Sequence, residues 1–332
     1  MTHVTITRAG PGITVQDLGR PGYIAQGLSR GGAADRIALF EGAALLGQTV
    51  TAALELPPVL LTLTVDAPTR IALTGTPMRA ARNDGPLRWS ASHRLQAGDT
   101  LTLSPQGGGF AYFTFGGGID TALLMGSRAT HRAAGIGSTL KDGDTLPLAE
   151  DTGTITDRTL DPAPRGTDAP LRLLPSAHTH LFDDATQARF TDTVFTRDTR
   201  GNRQGIRLTH EGAPFATAGQ LSLLSEIARP GDIQMTGEGT PYILGPECQT
   251  TGGYPRIASI LPADLPRAMQ VATGAKLRFA FVTREEALTT YEDDAALLAR
   301  LTKRTRPLTR DPRDMNLSDY QLISGVTDGD QP

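Results

Sequence analysis

The sequence predicts a mainly β protein with a few helices, arranged as two lobes, and three observations carry that expectation. Apolar and β-branched residues come in short runs, such as Thr5-Ile6-Thr7, Leu60 to Val65 and Thr69 to Leu73, cut short by Gly or Pro. A turn-and-strand unit recurs, Gly98-Asp99-Thr100-Leu101-Thr102-Leu103 and then Gly143-Asp144-Thr145-Leu146-Pro147-Leu148, with a looser copy at Gly231-Asp232-Ile233-Gln234-Met235. In each, Gly-Asp supplies a tight turn and the alternation that follows supplies a half-buried strand. The stretch Glu150 to Ala169 is rich in Asp, Thr and Pro and reads as a linker. Turn-punctuated strands at this spacing suit barrels or sandwiches rather than a parallel α/β sheet.

The expected organisation is a β lobe over 1–150, a linker over 151–169, a second β lobe with a C-terminal helix over 170–310, and a polar tail over 311–332. Two helices interrupt the strands. Ala33 to Gly47 places Ile37, Phe40, Ala44 and Leu45 at helical spacing, with Asp35 in the first turn and Gly47 as C-cap. Arg284 to Leu301, rich in Glu, Ala and Leu, reads as one further helix.

Composition excludes several classes. The 332 residues carry a formal charge of −3, so no basic excess exists to neutralise a phosphate backbone, and no nucleic-acid partner is expected. No apolar run approaches the roughly 20 residues that span a bilayer, so no membrane association is expected. The N-terminus lacks the basic start and apolar core of a secretory signal. A single cysteine, Cys248, suits a reducing compartment, and a cytoplasmic location follows as the expectation. Only Lys141, Lys276 and Lys303 among the 32 basic residues are lysines. Arginine-favouring codon usage explains that bias; a site for acidic substrates would also use it.

Phosphate loops, dinucleotide-binding glycine motifs, His-Glu-x-x-His and Gly-x-Ser-x-Gly are all missing from the sequence. No lysine sits in a biotin-acceptor context. His178 and His180 lack a third ligand, so no metal is expected and a surface turn is the reading for them. Three segments remain. In the first, Gln16-Asp17 ends a strand before the glycine-rich run Gly19 to Gly32, with Asp17 and Arg20 as candidate acid/base and carboxylate anchor, or with the polar pair simply holding the turn. In the second, Asn202-Arg203-Gln204-Gly205-Ile206-Arg207, two arginines flank a glycine and either close on one planar anion or pair with acidic neighbours such as Glu226. The third, Gln249-Thr250-Thr251-Gly252-Gly253-Tyr254-Pro255, offers an amide, hydroxyls and glycines that let a ligand approach the backbone. Neighbouring Cys248 reads as a small buried residue rather than a nucleophile.

Together these segments resemble the C-subunit group of bacterial 5-oxoprolinases, similar to the allophanate hydrolase subunit 2 domain of urea carboxylase and to sporulation kinase-inhibitor antagonists. The resemblance runs in order through Val15 to Arg20, Gly32 to Asp35, Leu54-Glu55, Phe115 to Ile119, Leu124 to Thr130, Asn202 to Leu208, Ser225-Glu226, Gly231 to Gln234, Gln249 to Pro255 and Ala263 to Leu265. It implies two cyclophilin-like β-barrel lobes. It also implies two partners, an inhibitor-like B subunit plus an A subunit, in an assembly that spends ATP to open 5-oxoproline to glutamate. The chain would be inactive alone, with no ATP site placed on it. In this light Gln16, Asp17, Arg20, Arg203 and Gln249 are the candidate catalytic residues. Asn202, Arg207, Glu226, Gln234, Thr250, Thr251, Gly252, Gly253 and Tyr254 are candidates for binding a small amide or carboxylate. Two alternatives stay open: a carboxyltransferase accepting from biotin on a separate carrier, and a non-catalytic partner that antagonises a kinase-inhibitor-like protein. The chain departs from the family where Gly31 and Ala34 replace Ser and Met, where Glu247 replaces Asp, and where Gln204 and Ile206 stand at positions more often Met and Tyr.

Overall fold

The computed structural model describes residues 2–215, 217 and 223–309. The first half runs through β1 (His3–Ala9), β2 (Thr14–Gln16), α1 (Arg36–Leu46), β3 (Ala53–Leu56), β4 (Leu61–Val65), β5 (Thr69–Gly75) and β6 (Met78–Arg82). It continues with β7 (Gly85–Leu87), β8 (Ala91–Leu95), β9 (Thr100–Pro105), β10 (Ala111–Phe115), β11 (Thr145–Pro147) and β12 (Arg158–Thr159). The second half opens with β13 (Leu171–Leu174), α2 (Asp184–Asp192), β14 (Phe195–Gly201), β15 (Gly205–Thr209), β16 (Glu226–Ile227), β17 (Asp232–Met235), β18 (Pro241–Leu244) and β19 (Thr251–Gly252). It closes with β20 (Arg256–Ile260), α3 (Leu265–Gln270), β21 (Lys276–Leu277), β22 (Phe279–Phe281), α4 (Arg284–Thr289), α5 (Asp294–Lys303) and β23 (Arg306–Pro307).

The expected mainly β architecture is present. A sheet ordered β11-β1-β4-β9-β6-β7 faces one ordered β2-β3-β10-β5-β8-β12-β23, and both curl towards a barrel. Period-2 alternation drives this: Leu61, Leu63 and Val65 point inward while Thr62 and Thr64 are half-buried. Inward residues of both sheets, among them Ile6, Leu63, Leu101, Leu54, Leu73 and Phe113, share one core. The second half is built on a sheet ordered β21-β14-β15-β18-β17-β20-β13-β22, wrapped around Phe190, Phe195, Phe215 and Phe279, with β16 and β19 forming a separate two-stranded sheet. Phe190 stacks on Phe279 at 5.1 Å and meets Phe195 at 4.9 Å; such pairs add about 0.5–1.5 kcal/mol beyond area burial.

Helix α1 is buried on nearly every side because three packing partners share it. Leu39 meets Tyr112, Leu45 and Leu46 meet Ala72 and Leu160, and Phe40 and Ala44 meet Leu297 and Leu301 of α5. Asp35 is the N-cap rather than a first-turn residue, accepting from the Ala38 N–H, and Gly47 caps the C-terminus at φ 62°.

The single helix expected over Arg284 to Leu301 is two. Thr283 and Glu286 form a capping box that starts α4, and Asp293 caps a fresh start at α5 by accepting from the Ala296 N–H. The break lets α5 turn back onto α1 of the first lobe.

The stretch 151–169 lies along the first lobe as a strap, with its polar groups engaged. Asp151 takes Arg70 at 2.5 Å, and the Ile155 carbonyl accepts from the same guanidinium at 2.6 Å. Arg165 enters between Asp35 at 2.6 Å and Glu41 at 2.8 Å, both buried. Burial works against the Arg165 charge, but the two carboxylates outweigh it and raise its pKa. The tail 311–332 lies outside the described residues.

Removing one partner of a buried ion pair strands the other charge, at about 3–5 kcal/mol. Arg165→Ala should therefore lower the free energy of unfolding by about that amount, read from urea titrations; a loss below about 1 kcal/mol would show the strap to be dispensable.

Candidate functional site

A cleft between the lobes holds a cavity of about 810 Å3. Its first-lobe wall is Gly27 to Ser29 with His131, Ala133 and Ala134; the second lobe contributes Gly201, Asn202, Gln204, Gln234, Tyr242, Glu247, Cys248, Gln249 and Tyr254.

The Gln249 segment comes together much as the sequence suggests. Gln249 follows a turn after β18, and its Nε2 reaches the Oε1 of Gln234 on β17 at 3.5 Å. Gln234 is 6% exposed, and its own Nε2 has no partner among the described residues. Glycine at position 252 gives the two amides their room: a Cβ there would lie 2.9 Å from the Nε2 of both Gln234 and Gln249 and would displace these side-chain ends. Strand pairing sets Gly252 opposite Glu226. Glu226 accepts from Arg256 at 2.9 Å and meets His178 at 3.1 Å. Thr250 is buried, with its carbonyl accepting from the Ala228 N–H, whereas Thr251 is exposed and Gly253 half-buried. Tyr254, 44% exposed, stands at the cavity edge.

The two arginines of the second segment part company. Asn202 folds the loop by accepting from the Gln204 N–H at 2.7 Å. Arg203, 8% exposed, turns inward to Glu247 at 2.5 Å, to the Gly32 carbonyl at 2.5 Å and to Glu55. Burial opposes its charge, yet Glu55 and Glu247 hold its pKa above the ordinary value. Arg207 leaves in the other direction to Asp198. No single anion is clamped by the pair, and Glu226 is the partner of neither.

Gln16, Asp17 and Arg20 line neither inter-lobe cavity. Gln16 is buried and donates to Thr14 and to the Thr130 carbonyl, both at 3.0 Å. Asp17 accepts from the N–H groups of Gly19 and Arg128 at 2.7 Å and from the Ser127 hydroxyl at 2.6 Å. Arg20 donates to the Ala129 carbonyl at 2.5 Å. The three tie the turn at 16–20 to the segment 124–130, so the turn-holding reading fits their geometry. His178 is buried, not on a surface turn, because Glu226 and the Arg256 N–H engage its ring. Burial pushes the Cys248 thiol up to about 12, so it stays protonated and unreactive near neutral pH.

Ser29 and His131 belong to the cavity wall and were not evident from spacing, since 102 residues separate them. The His131 Nδ1 accepts from the Ala134 N–H at 3.2 Å, so Nε2 carries the proton and donates to Ser29 Oγ at 2.8 Å. That polarity makes Ser29 a hydrogen-bond acceptor from His131, not a nucleophile deprotonated by it.

Two curled β lobes with an amide-lined cleft between them are thus the frame of the site. The chain belongs to the carboxyltransferase domain family, subdomain A and B, which it matches over residues 26–281. It is 35% identical to the C subunit of the 5-oxoprolinase of Escherichia coli strain K12 over 310 residues, covering 90% of this chain and 97% of that one. The C subunit of the Haemophilus influenzae 5-oxoprolinase is 31% identical over 280 residues, covering 82% and 89%. Among solved structures, the Kluyveromyces lactis urea amidolyase shares the fold with a TM-score of 0.80 at 22% identity, over 93% of this chain and 21% of that chain.

Burial lowers the pKa of His131, whereas the unfolded chain takes up its histidine protons near about 6.5. The unfolded state therefore binds more protons below that pH, and stability present above it is lost as pH falls towards the folded value. Urea titrations at about pH 7 and about pH 5.5 should show this slope, and His131→Asn should reduce it, the remainder coming from His93 and His178, whose pKa values burial also lowers. An unchanged slope in the variant would assign the proton uptake elsewhere.

Proposed function

We propose that this chain is the C subunit of an ATP-dependent 5-oxoprolinase complex and supplies part of the site that holds the small amide. The observation that carries the reading is the Gln234 carboxamide, buried at the cavity with its Nε2 unpartnered beside Gln249. A buried donor left unpaired costs about 1–3 kcal/mol, which a ligand carbonyl at that point restores. 5-Oxoproline presents one, its lactam carbonyl. Attack of water, with its proton lost to a base, leaves that oxygen an oxyanion, to which a preorganised amide donor binds more strongly than to the ground state. Gln249 orients Gln234 through its Oε1, Gly252 leaves the room both need, and Tyr254 and Asn202 border the substrate.

The proposed organisation is a 1–150 lobe and a 170–310 lobe joined by 151–169, acting with two further proteins, an inhibitor-like B subunit plus an A subunit. ATP is spent by the assembly and no site for it is assigned to this chain. Similarity to the 5-oxoprolinase C subunit over nearly the full length of both chains supports this reading. The family match and the likeness to urea amidolyase favour a second one, carboxyl transfer from biotin on a separate carrier to a urea-like nitrogen.

The test is ATP-dependent glutamate release from 5-oxoproline by the three co-expressed proteins. Turnover should vanish when this chain is omitted, and Gln234→Ala should lower kcat about 100-fold with the complex intact, the loss typical of one oxyanion donor. Gly252→Ala, whose Cβ collides with both amides, should do likewise without unfolding the chain. An assembled complex with no turnover, together with a biotinylated protein co-purifying on a streptavidin blot, would transfer the assignment to carboxyl transfer. No turnover and no biotinylated partner would leave a binding protein.

A further inference from the structure

A second inter-lobe cavity, of about 780 Å3, lies across the wall made by Gly201 to Gln204 and Glu247. Pro57, Pro58 and Gly108 to Phe110 border it on the first lobe, and Met269, Ala272 and Thr273 on the second. Its charged lining is Arg132, Arg197, Arg203 and Glu247. Arg203 is held by Glu247 at 2.5 Å and by Glu55, so the cations of the lining without a carboxylate partner among the described residues are Arg132 and Arg197.

Arg197 is the informative residue. It lies half-buried on β14, its Nη1 donates to the Thr273 hydroxyl at 2.6 Å, and its Nε is buried with no partner among the described residues. No carboxylate among the described residues lies within ion-pair distance of it, and burial alone pulls its pKa below the ordinary value. Arg70, Arg165, Arg207 and Arg256 each meet an acid, whereas, among the described residues, Arg20, buried with an unpartnered Nη1, and half-buried Arg158 share the lack of one but lie outside both cavities. The nearest acid in sequence, Asp198, is the next residue of the strand, so it projects to the opposite face and pairs with Arg207. Arg132, exposed at the rim, adds a second cation without a carboxylate. Taking a guanidinium out of water without a counter-ion is costly, and an anion arriving in the cavity recovers that cost.

We infer that this second cavity is an oxyanion site, which takes the phosphate or carboxylate group of a small ligand on Arg197 and Arg132. The planar guanidinium fork matches either group in bidentate fashion. Under the proposed function the candidate sources are phosphate from spent ATP and the carboxylate that 5-oxoproline and its product glutamate both carry. Neither arginine takes part in holding the amide at Gln234 and Gln249, so failure of one site leaves the other standing.

The experiment is isothermal titration calorimetry of the full chain with inorganic phosphate and, separately, with glutamate, at constant ionic strength set by chloride. Saturable binding of at least one is expected; the one that saturates names the source. Arg197→Gln should weaken it about tenfold or more, equivalent to about 1.4 kcal/mol or more, and Arg132→Gln several-fold. Arg79→Gln, an exposed arginine on β6 outside both cavities, should bind as the wild type and so control for net charge. If Arg197→Gln does not fold, Arg132→Gln and Arg197→Lys carry the test. Absence of saturable binding of both anions, or unweakened binding in the foldable Arg197 and Arg132 variants, overturns the inference.

Discussion

The meeting of the two lobes depends on the buried guanidinium of Arg203. It enters from the loop between β14 and β15 and is taken by Glu55 of β3, by Glu247 after β18 and by the Gly32 carbonyl. The interaction has little tolerance for error. A charge withdrawn from water incurs several kcal/mol, recovered only where partners surround it at hydrogen-bond distance. That requirement fixes the loop at Gly32 as well as the two acids. A Cβ at Gly32 would lie 2.6 Å from the Gly19 nitrogen, so only glycine brings this carbonyl so deep.

From Glu55 the polar chain continues to the Tyr112 hydroxyl at 2.6 Å, and the Asp35 N–H donates to that hydroxyl at 2.7 Å. The Asp35 carboxylate then gathers Gln270 of the second lobe at 2.8 Å and Arg165 of the strap at 2.6 Å. Burial holds the Tyr112 phenol well above its ordinary range, so it remains a donor. One satisfied network therefore crosses both lobes and the segment joining them. Apolar contact alone would allow the curled sheets to slide, since it is not directional; the network sets their register.

What the sequence disclosed follows from how local each feature is. The strands and α1 were legible because alternation and helical spacing act within a few residues, as Leu61 to Val65 and Phe40 to Ala44 show. Gln249 and Gly252 were legible as chemistry because the residue types themselves are suggestive. Arg203 stood out too, but its role did not, because Glu55 lies 148 residues away and Glu247 44. The break at Asp293 was hidden inside a run rich in Glu, Ala and Leu, where a capping aspartate looks like one more surface acid. Arg197 and His131 had no signal at all, for their interest comes from burial and from partners they have or lack.

The placement of Arg203 also bears on how the two cavities relate. Asn202 and Gln204, its chain neighbours, line both, and so does Glu247, its ion-pair partner. A wall held by a buried ion-pair network has few ways to yield, because displacing Glu247 would remove one of the two carboxylates that hold Arg203. Gly201 and Gly205 bound this segment, and a Cβ at Gly205 would lie 3.0 Å from the Ile243 carbonyl oxygen, so the loop is seated against β18 next to the strand that carries Gln234. An anion drawn to Arg197, on the strand leading into Gly201, and an amide held by Gln234 would thus act on opposite sides of one stiff partition, whose stiffness is the same electrostatic constraint that joins the lobes.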